Sequence, residues 1–136
     1  MTISLRKTAM GYKEDNMAKI MIVDDSVSIR KSVSFVLSQE GYEVIEADDG
    51  IDGLKKAEAN EFQLIITDIN MPNMNGIDFI KNVRNLPAYR FTPIIALTTE
   101  SQDGKMQEGK AAGATGWIVK PFTSEKLSAI VKKILG

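Results

Sequence analysis

The pattern that most constrains this chain is an alternation of two periods. Short apolar runs recur along it, and between them lie segments whose apolar residues repeat at helical spacing. Residues 19–23 (KIMIV), 42–47 (YEVIEA), 63–67 (QLIIT), 93–97 (PIIAL) and 116–119 (GWIV) read as five strands. After the first strand, Ser26 can cap a helix carrying Ile29, Val33, Val36 and Leu37, which Gly41 ends. Helices are also expected over 50–59, 76–86, 101–112 and 123–135, and 68–75 (DINMPNMN) reads as a loop. The last helix shows the clearest period, with Leu127, Ile130, Val131, Ile134 and Leu135 on one face. The 101–112 helix is the weakest, because Gly104 and Gly109 each cost about 1 kcal/mol relative to alanine. Strands alternating with helices over short connections form a parallel sheet covered on both faces. The expected fold is therefore α/β, with five parallel strands.

Residues 1–17 stand apart. They mix Arg6, Lys7, Lys13, Glu14 and Asp15 without a period and lack the apolar core of a secretory signal. They are expected to form a flexible N-terminal extension, with the folded domain over 18–136. With 136 residues, one core suffices without staples. The formal net charge of −1 provides no positive field for nucleic acid or anionic lipid. No apolar run approaches the roughly 18 residues of a membrane span.

Cysteine and histidine are both absent. Thiol catalysis, iron–sulfur clusters, Ser-His-Asp triads and histidine metal sites are excluded with them. Any chemistry must use carboxylates, hydroxyls, lysine, backbone groups or a bound ion. In a parallel α/β sheet such groups matter most at the carboxyl ends of the strands, where ligands bind. Those ends carry Asp24 and Asp25, then Asp68, Thr98 and Lys120. Each residue alone is an ordinary turn former, cap or solvated side chain. Together they place three carboxylates, a hydroxyl and an amine on one edge. Two such carboxylates at about 4 Å repel by roughly 4 kcal/mol at an effective dielectric near 20. Lys120 and a divalent cation would balance the three charges. An all-oxygen donor set selects Mg²⁺, Mn²⁺ or Ca²⁺. The loop after the first strand has acids and no glycine, and neither a P-loop nor a dinucleotide fingerprint is present.

The stretches VDDS (23–26), TDINMPNMNG (67–76), ALTTE (96–100) and GWIVKPF (116–122) together resemble the receiver domain of two-component response regulators. The resemblance runs over nearly the whole chain, from about Lys19 to Leu135. Within that family it looks most like the stand-alone chemotaxis regulators of the CheY type, on the expectation that no output domain follows Leu135. It implies a flavodoxin-like sheet in the order 2-1-3-4-5. It implies Asp68 as phospho-acceptor and Mg²⁺ held by Asp24, Asp25, Asp68 and the backbone oxygen of Asn70, with Asp25 the direct ligand and Asp24 acting through water. Thr98 and Lys120 would contact the phosphoryl group, and Trp117 would be the switch aromatic, a position more often Tyr or Phe in the family. Asn70 and Glu100 would tune dephosphorylation. The Lys120–Pro121 bond is expected to be cis on the same ground.

The implied partners are a sensor histidine kinase of the CheA kind and a downstream target such as a flagellar motor switch protein or a phosphatase. The implied state is a cytoplasmic monomer. Val27, Ser28, Arg30 and Lys31 on the first helix are candidates for kinase recognition. The 101–112 helix, the last strand and the last helix are the expected output face. A phosphate sink, a phosphorelay intermediate and a receiver-like module that is not phosphorylated remain as alternatives. A haloacid-dehalogenase-type phosphatase is set aside, because its general acid would fall on Asn70, an amide that cannot donate the proton.

Overall fold

The computed structural model describes residues 5–8, 11–14, 18–99 and 103–136. Five strands form one parallel sheet: β1 (Lys19–Val23), β2 (Glu43–Ala47), β3 (Leu64–Asp68), β4 (Ile94–Thr99) and β5 (Gly116–Lys120). Their order across the sheet is β2-β1-β3-β4-β5, the expected 2-1-3-4-5. Every neighbouring pair is parallel. The helices are α1 (Val27–Gln39), α2 (Gly50–Ala59), α3 (Gly76–Arg84), α4 (Asp103–Ala112) and α5 (Ser124–Leu135). No described helix is long and apolar enough to cross a membrane.

The two faces of the sheet bury separate cores, because alternate strand residues point to opposite sides. Met21, Val23, Ile65, Ile94 and Ala96 pack with Ala57, Ile77, Phe79, Ile80 and Val83 on the side of α2 and α3. Ile20, Ile22, Leu64, Ile66, Ile95, Leu97 and Ile118 pack with Val33, Leu37, Leu127 and Val131 on the side of α1 and α5. β1, β3 and β4 are buried on both faces, so their sequences are continuous apolar runs rather than alternating ones.

Caps set the helix starts. The side chains of Ser26, Asp49, Asn75 and Thr123 each accept from a backbone N–H in the first turn of α1, α2, α3 and α5 respectively. The expected helix over 76–86 stops earlier, at Arg84. Leu86 N closes onto the Val83 carbonyl at 2.9 Å, tightening the last turn, and Pro87 cannot continue it. A 3₁₀ turn over Pro87–Tyr89 follows, which the apolar pattern did not show. β4 runs on to Thr99, past the expected end at residue 97, because Thr98 and Thr99 pair with Val119 and Lys120. The Lys120–Pro121 bond is cis, as the resemblance implied.

Within 1–17, where no regular element was expected, Leu5–Thr8 and Gly11–Glu14 pair antiparallel as a separate two-stranded sheet. Neither LRKT nor GYKE carries the apolar run by which the other strands were recognised. The rest of that segment lies outside the described residues, as do residues 100–102.

Candidate functional site

The carboxyl ends of β1, β3, β4 and β5 meet at one edge of the sheet, and the sequence-predicted residues come with them. Asp24, Asp25 and Asp68 bring carboxylate oxygens within 4.8 Å of one another. Lys120 reaches across from β5 and places its Nζ 3.1 Å from Asp24 Oδ2 and 3.3 Å from Asp68 Oδ1. Three carboxylates against one ammonium leave an excess of two negative charges. The donors are all oxygens, and the exposed Asp25 has no described bond that would compete with an ion. Such a set fits Mg²⁺, which takes one or two carboxylates and keeps several waters.

Each acid is held differently. Asp24 is fully buried. Its Oδ1 accepts from Ser26 N at 2.9 Å. Its backbone carbonyl accepts from an Arg30 guanidinium nitrogen at 2.7 Å. Asp68 is nearly buried, and its Oδ1 accepts from Ile69 N at 2.9 Å. Thr98 is buried, and its hydroxyl oxygen has no hydrogen-bond partner. A buried hydroxyl left unpaired costs about 1–3 kcal/mol, which a ligand at this edge could relieve. Asn70 is exposed in the loop beyond Asp68. Trp117 lies on β5 with 44% of its surface exposed, beside Met106, Gln107 and Lys110 of α4. Glu100, the remaining expected site residue, lies outside the described residues.

Burial and the neighbouring Asp24 charge push the Asp68 carboxyl above its ordinary value, against the pull of Lys120. A carboxyl raised on folding binds protons more tightly in the native state, so its ionisation lowers stability as pH rises through the raised value. In metal-free buffer, Asp68→Asn is therefore expected to raise the urea midpoint at pH 7. The gain should shrink as pH falls toward the ordinary aspartate range. Urea midpoints at several pH values check it. A wild type as stable as the variant at pH 7 would contradict the electrostatic account.

Some residues were placed differently by the fold than their sequence suggested. Among the four candidates for kinase recognition, Val27 is 59% exposed, and Ser28 and Lys31 are also on the surface. Arg30 instead turns inward. It holds the Asp24 carbonyl and pairs with Glu46 at 3.3 Å. Burial works against the Glu46 charge, but bonds from Lys31 and Arg30 keep its carboxyl below the ordinary range. Gly76 was read only as the start of a helix. A Cβ there would stand 2.1 Å from the Asp68 carbonyl oxygen and 2.7 Å from Ile69 Cα. Its position in the sequence carried no signal of this, because the 69–75 loop separates it from Asp68 and only the fold brings the two backbones together. Asn73, in the left-handed region at φ 69°, donates from its amide to Asp49 Oδ2 at 2.9 Å and ties the 69–75 loop to α2.

Comparison with known proteins bears on this geometry. The family model for the response regulator receiver domain matches residues 20–132. The chain is 40% identical over 120 residues to the chemotaxis protein CheY1 of Helicobacter pylori, covering 87% of this chain and 97% of that one. It is 38% identical over 117 residues to CheY-3 of Vibrio cholerae, covering 85% and 90%. The solved structure of the V. cholerae chemotaxis protein CheY4 superposes with a TM-score of 0.83 at 52% identity, over 88% of this chain and 99% of that one. The receiver domain of a Pseudomonas aeruginosa sensor histidine kinase, solved with magnesium ion coordinated in its active site cleft, gives a TM-score of 0.82 at 27% identity, over 89% and 99%. Sheet order, acidic edge and sequence agree, and the chain belongs to the response regulator receiver domain family.

Proposed function

We propose that the chain is a phosphorylation-activated signalling switch, most like those of chemotaxis, in which Asp68 accepts a phosphoryl group from a phosphohistidine of a sensor kinase. The observation that carries this reading is the setting of Asp68: a nearly buried carboxylate beside two others, with Lys120 on one of its oxygens. Both of its described bonds fall on Oδ1, which leaves Oδ2 as the attacking oxygen. Oδ2 attacks phosphorus as a carboxylate nucleophile. The P–N bond to the donor breaks, its electron pair returns to the imidazole nitrogen, and the donor supplies the histidine this chain lacks. Asp24, Asp25, Asp68 and the Asn70 carbonyl would hold Mg²⁺, which when bound supplies positive charge against the approaching phosphoryl oxygens.

After transfer the phosphoryl group carries more negative charge than the carboxylate it caps. Lys120 follows that charge from Asp68 to a phosphoryl oxygen. The unpaired Thr98 hydroxyl gains an acceptor and moves inward. Space then opens beside β4 on the face that Thr98 shares with Trp117, and Trp117 turns into it. A local charge change thus biases a packing element with two arrangements. The partner that reads it, of the kind represented by a flagellar motor switch protein or a phosphatase, would do so on α4, β5 and α5.

Incubation with acetyl phosphate and Mg²⁺ tests the reading. A mass increase of roughly 80 Da, mapped to residue 68 and prevented by a chelator, is expected. An adduct elsewhere, or none, would overturn it. Asn70 and Glu100, which follow Asp68 and Thr98 by two residues in the sequence, would orient the water that hydrolyses the acyl phosphate. After donor removal in Mg²⁺ the adduct should decay in minutes, and a half-life of many hours would contradict that role.

A further inference from the structure

Helix α4 is held unequally along its length. Its carboxyl end is bound into the body of the protein. Gly113 ends it at φ 118°, a left-handed conformation suited to glycine. Gly113 N and Ala114 N close onto the Gly109 carbonyl at 3.1 and 2.9 Å. The Gly113 carbonyl accepts from Arg84 Nε at 3.0 Å and from Arg84 Nη2 at 2.8 Å. The remaining terminal nitrogen of the same guanidinium donates to the carbonyls of Tyr89 at 2.6 Å and Thr92 at 2.7 Å. One side chain at the end of α3 therefore binds the end of α4 and the segment leading into β4. Just beyond, Thr115 N donates to the Ile94 carbonyl at 2.7 Å, and Ile94 N donates to Thr115 Oγ1 at 3.0 Å. The planar fork of arginine makes this arrangement possible, and an ammonium could not reproduce it.

Among the described residues, the amino half of α4 is the looser one, with no side-chain bond leaving the helix. A Cβ on Gly104 would meet nothing within 4 Å. Lys105, Gln107 and Glu108 are exposed, and Met106 is half-buried. This loose half follows the β4 end that carries Thr98, whose hydroxyl has no partner. A displacement at Thr98 thus reaches α4 first at its less constrained end.

We propose that Arg84 is a positioning residue that pins the carboxyl end of α4 as a pivot, so that loading the site swings the amino half of the helix past Trp117. The inference rests on the reading of Asp68 as phospho-acceptor. Without the pin, both ends of α4 yield and the displacement is not delivered to β5. Trp117 is the single tryptophan of the chain and shares a surface hollow with Met106, Gln107 and Lys110, so its emission reports on the helix.

The test is a titration of the full chain with beryllofluoride in Mg²⁺, following Trp117 emission in wild type, Arg84→Lys and Arg84→Met. Wild type should show a saturable change. Arg84→Met should bind the probe within about threefold of wild type yet show less than about half the emission change, with Arg84→Lys between them. A role in stability alone would lower the melting temperature of Arg84→Met and leave the full emission change. That result would overturn the pivot. Should Arg84→Met not fold, hydrogen exchange on wild type decides. Loading is expected to alter protection over 104–108 and to leave 109–115 unchanged, and equal change at both ends would overturn the proposal. A wild type with neither emission change nor acyl-phosphate adduct removes the phospho-acceptor reading and the pivot with it. An adduct at residue 68 with an undiminished response in Arg84→Met removes the pivot alone.

Discussion

Replacing Lys120 by methionine is expected to slow phosphorylation of Asp68 by acetyl phosphate roughly 100-fold, the usual loss when one preorganised positive group is removed from developing charge. Nζ stands 3.1 Å from Asp24 and 3.3 Å from Asp68, and its side chain is 19% exposed. Methionine keeps most of the stem packing and removes only the charge. The same substitution leaves two buried carboxylates without their cation, a change that costs about 3 kcal/mol at neutral pH when one partner of a buried pair is lost. Added Mg²⁺ should restore part of that stability, because it supplies charge to the same oxygens. Adding Asp24→Asn to Lys120→Met should restore stability without restoring rate. Pre-steady-state mass spectrometry and urea melts, with and without Mg²⁺, separate the two effects. A Lys120→Met protein phosphorylated at the wild-type rate would show that the lysine acts only as a counter-ion in the resting state.

Gly76→Ala should be nearly as damaging, although position 76 carries no chemistry. The added methyl carbon would lie 2.1 Å from the Asp68 carbonyl oxygen, 2.7 Å from Ile69 Cα and 3.0 Å from the Asp68 carbonyl carbon. All three are backbone atoms, so no side chain can rotate away. Gly76 N also donates to the Ile69 carbonyl at 2.8 Å, which locks the approach. Relief requires α3 or the end of β3 to move, an overpacking strain of roughly 3 kcal/mol. Because the displaced segment carries Asp68 itself, a shift on the order of 1 Å should also slow phosphoryl transfer about 100-fold. Denaturant midpoints and the acetyl phosphate rate check both. Wild-type stability in Gly76→Ala would mean the loop relaxes freely and that its close packing does not position Asp68.

The contrast between these residues shows what a sequence carries openly. Lys120 was legible only in company: alone at the end of an apolar run it is an ordinary solvated lysine, but three other strand ends held complementary groups. Gly76 was not, since a glycine at a helix start looks the same whether the space above it is solvent or another backbone. Nothing in the sequence singled out Arg84. Only the fold showed that its guanidinium faces the carbonyls of Tyr89, Thr92 and Gly113. Arg30 read as surface and proved to hold Asp24 from behind. The paired strands 5–8 and 11–14 escaped detection because neither LRKT nor GYKE carries an apolar run.

Local pattern was sufficient for the parallel sheet, its helices and the convergence of Asp24, Asp25, Asp68, Thr98 and Lys120 on one edge. Strand length, helical period and the alternation of the two are encoded by near neighbours, and a parallel sheet then aligns every strand end without further information. The orientation of each group was settled by contacts between residues far apart in the chain. Lys120 lies 96 positions from Asp24, and Arg84 lies 29 from Gly113. The bare Thr98 hydroxyl, the outward Trp117 and the unevenly held α4 arise from how packed elements share volume and hydrogen bonds, which depends on three-dimensional neighbours that no local window contains.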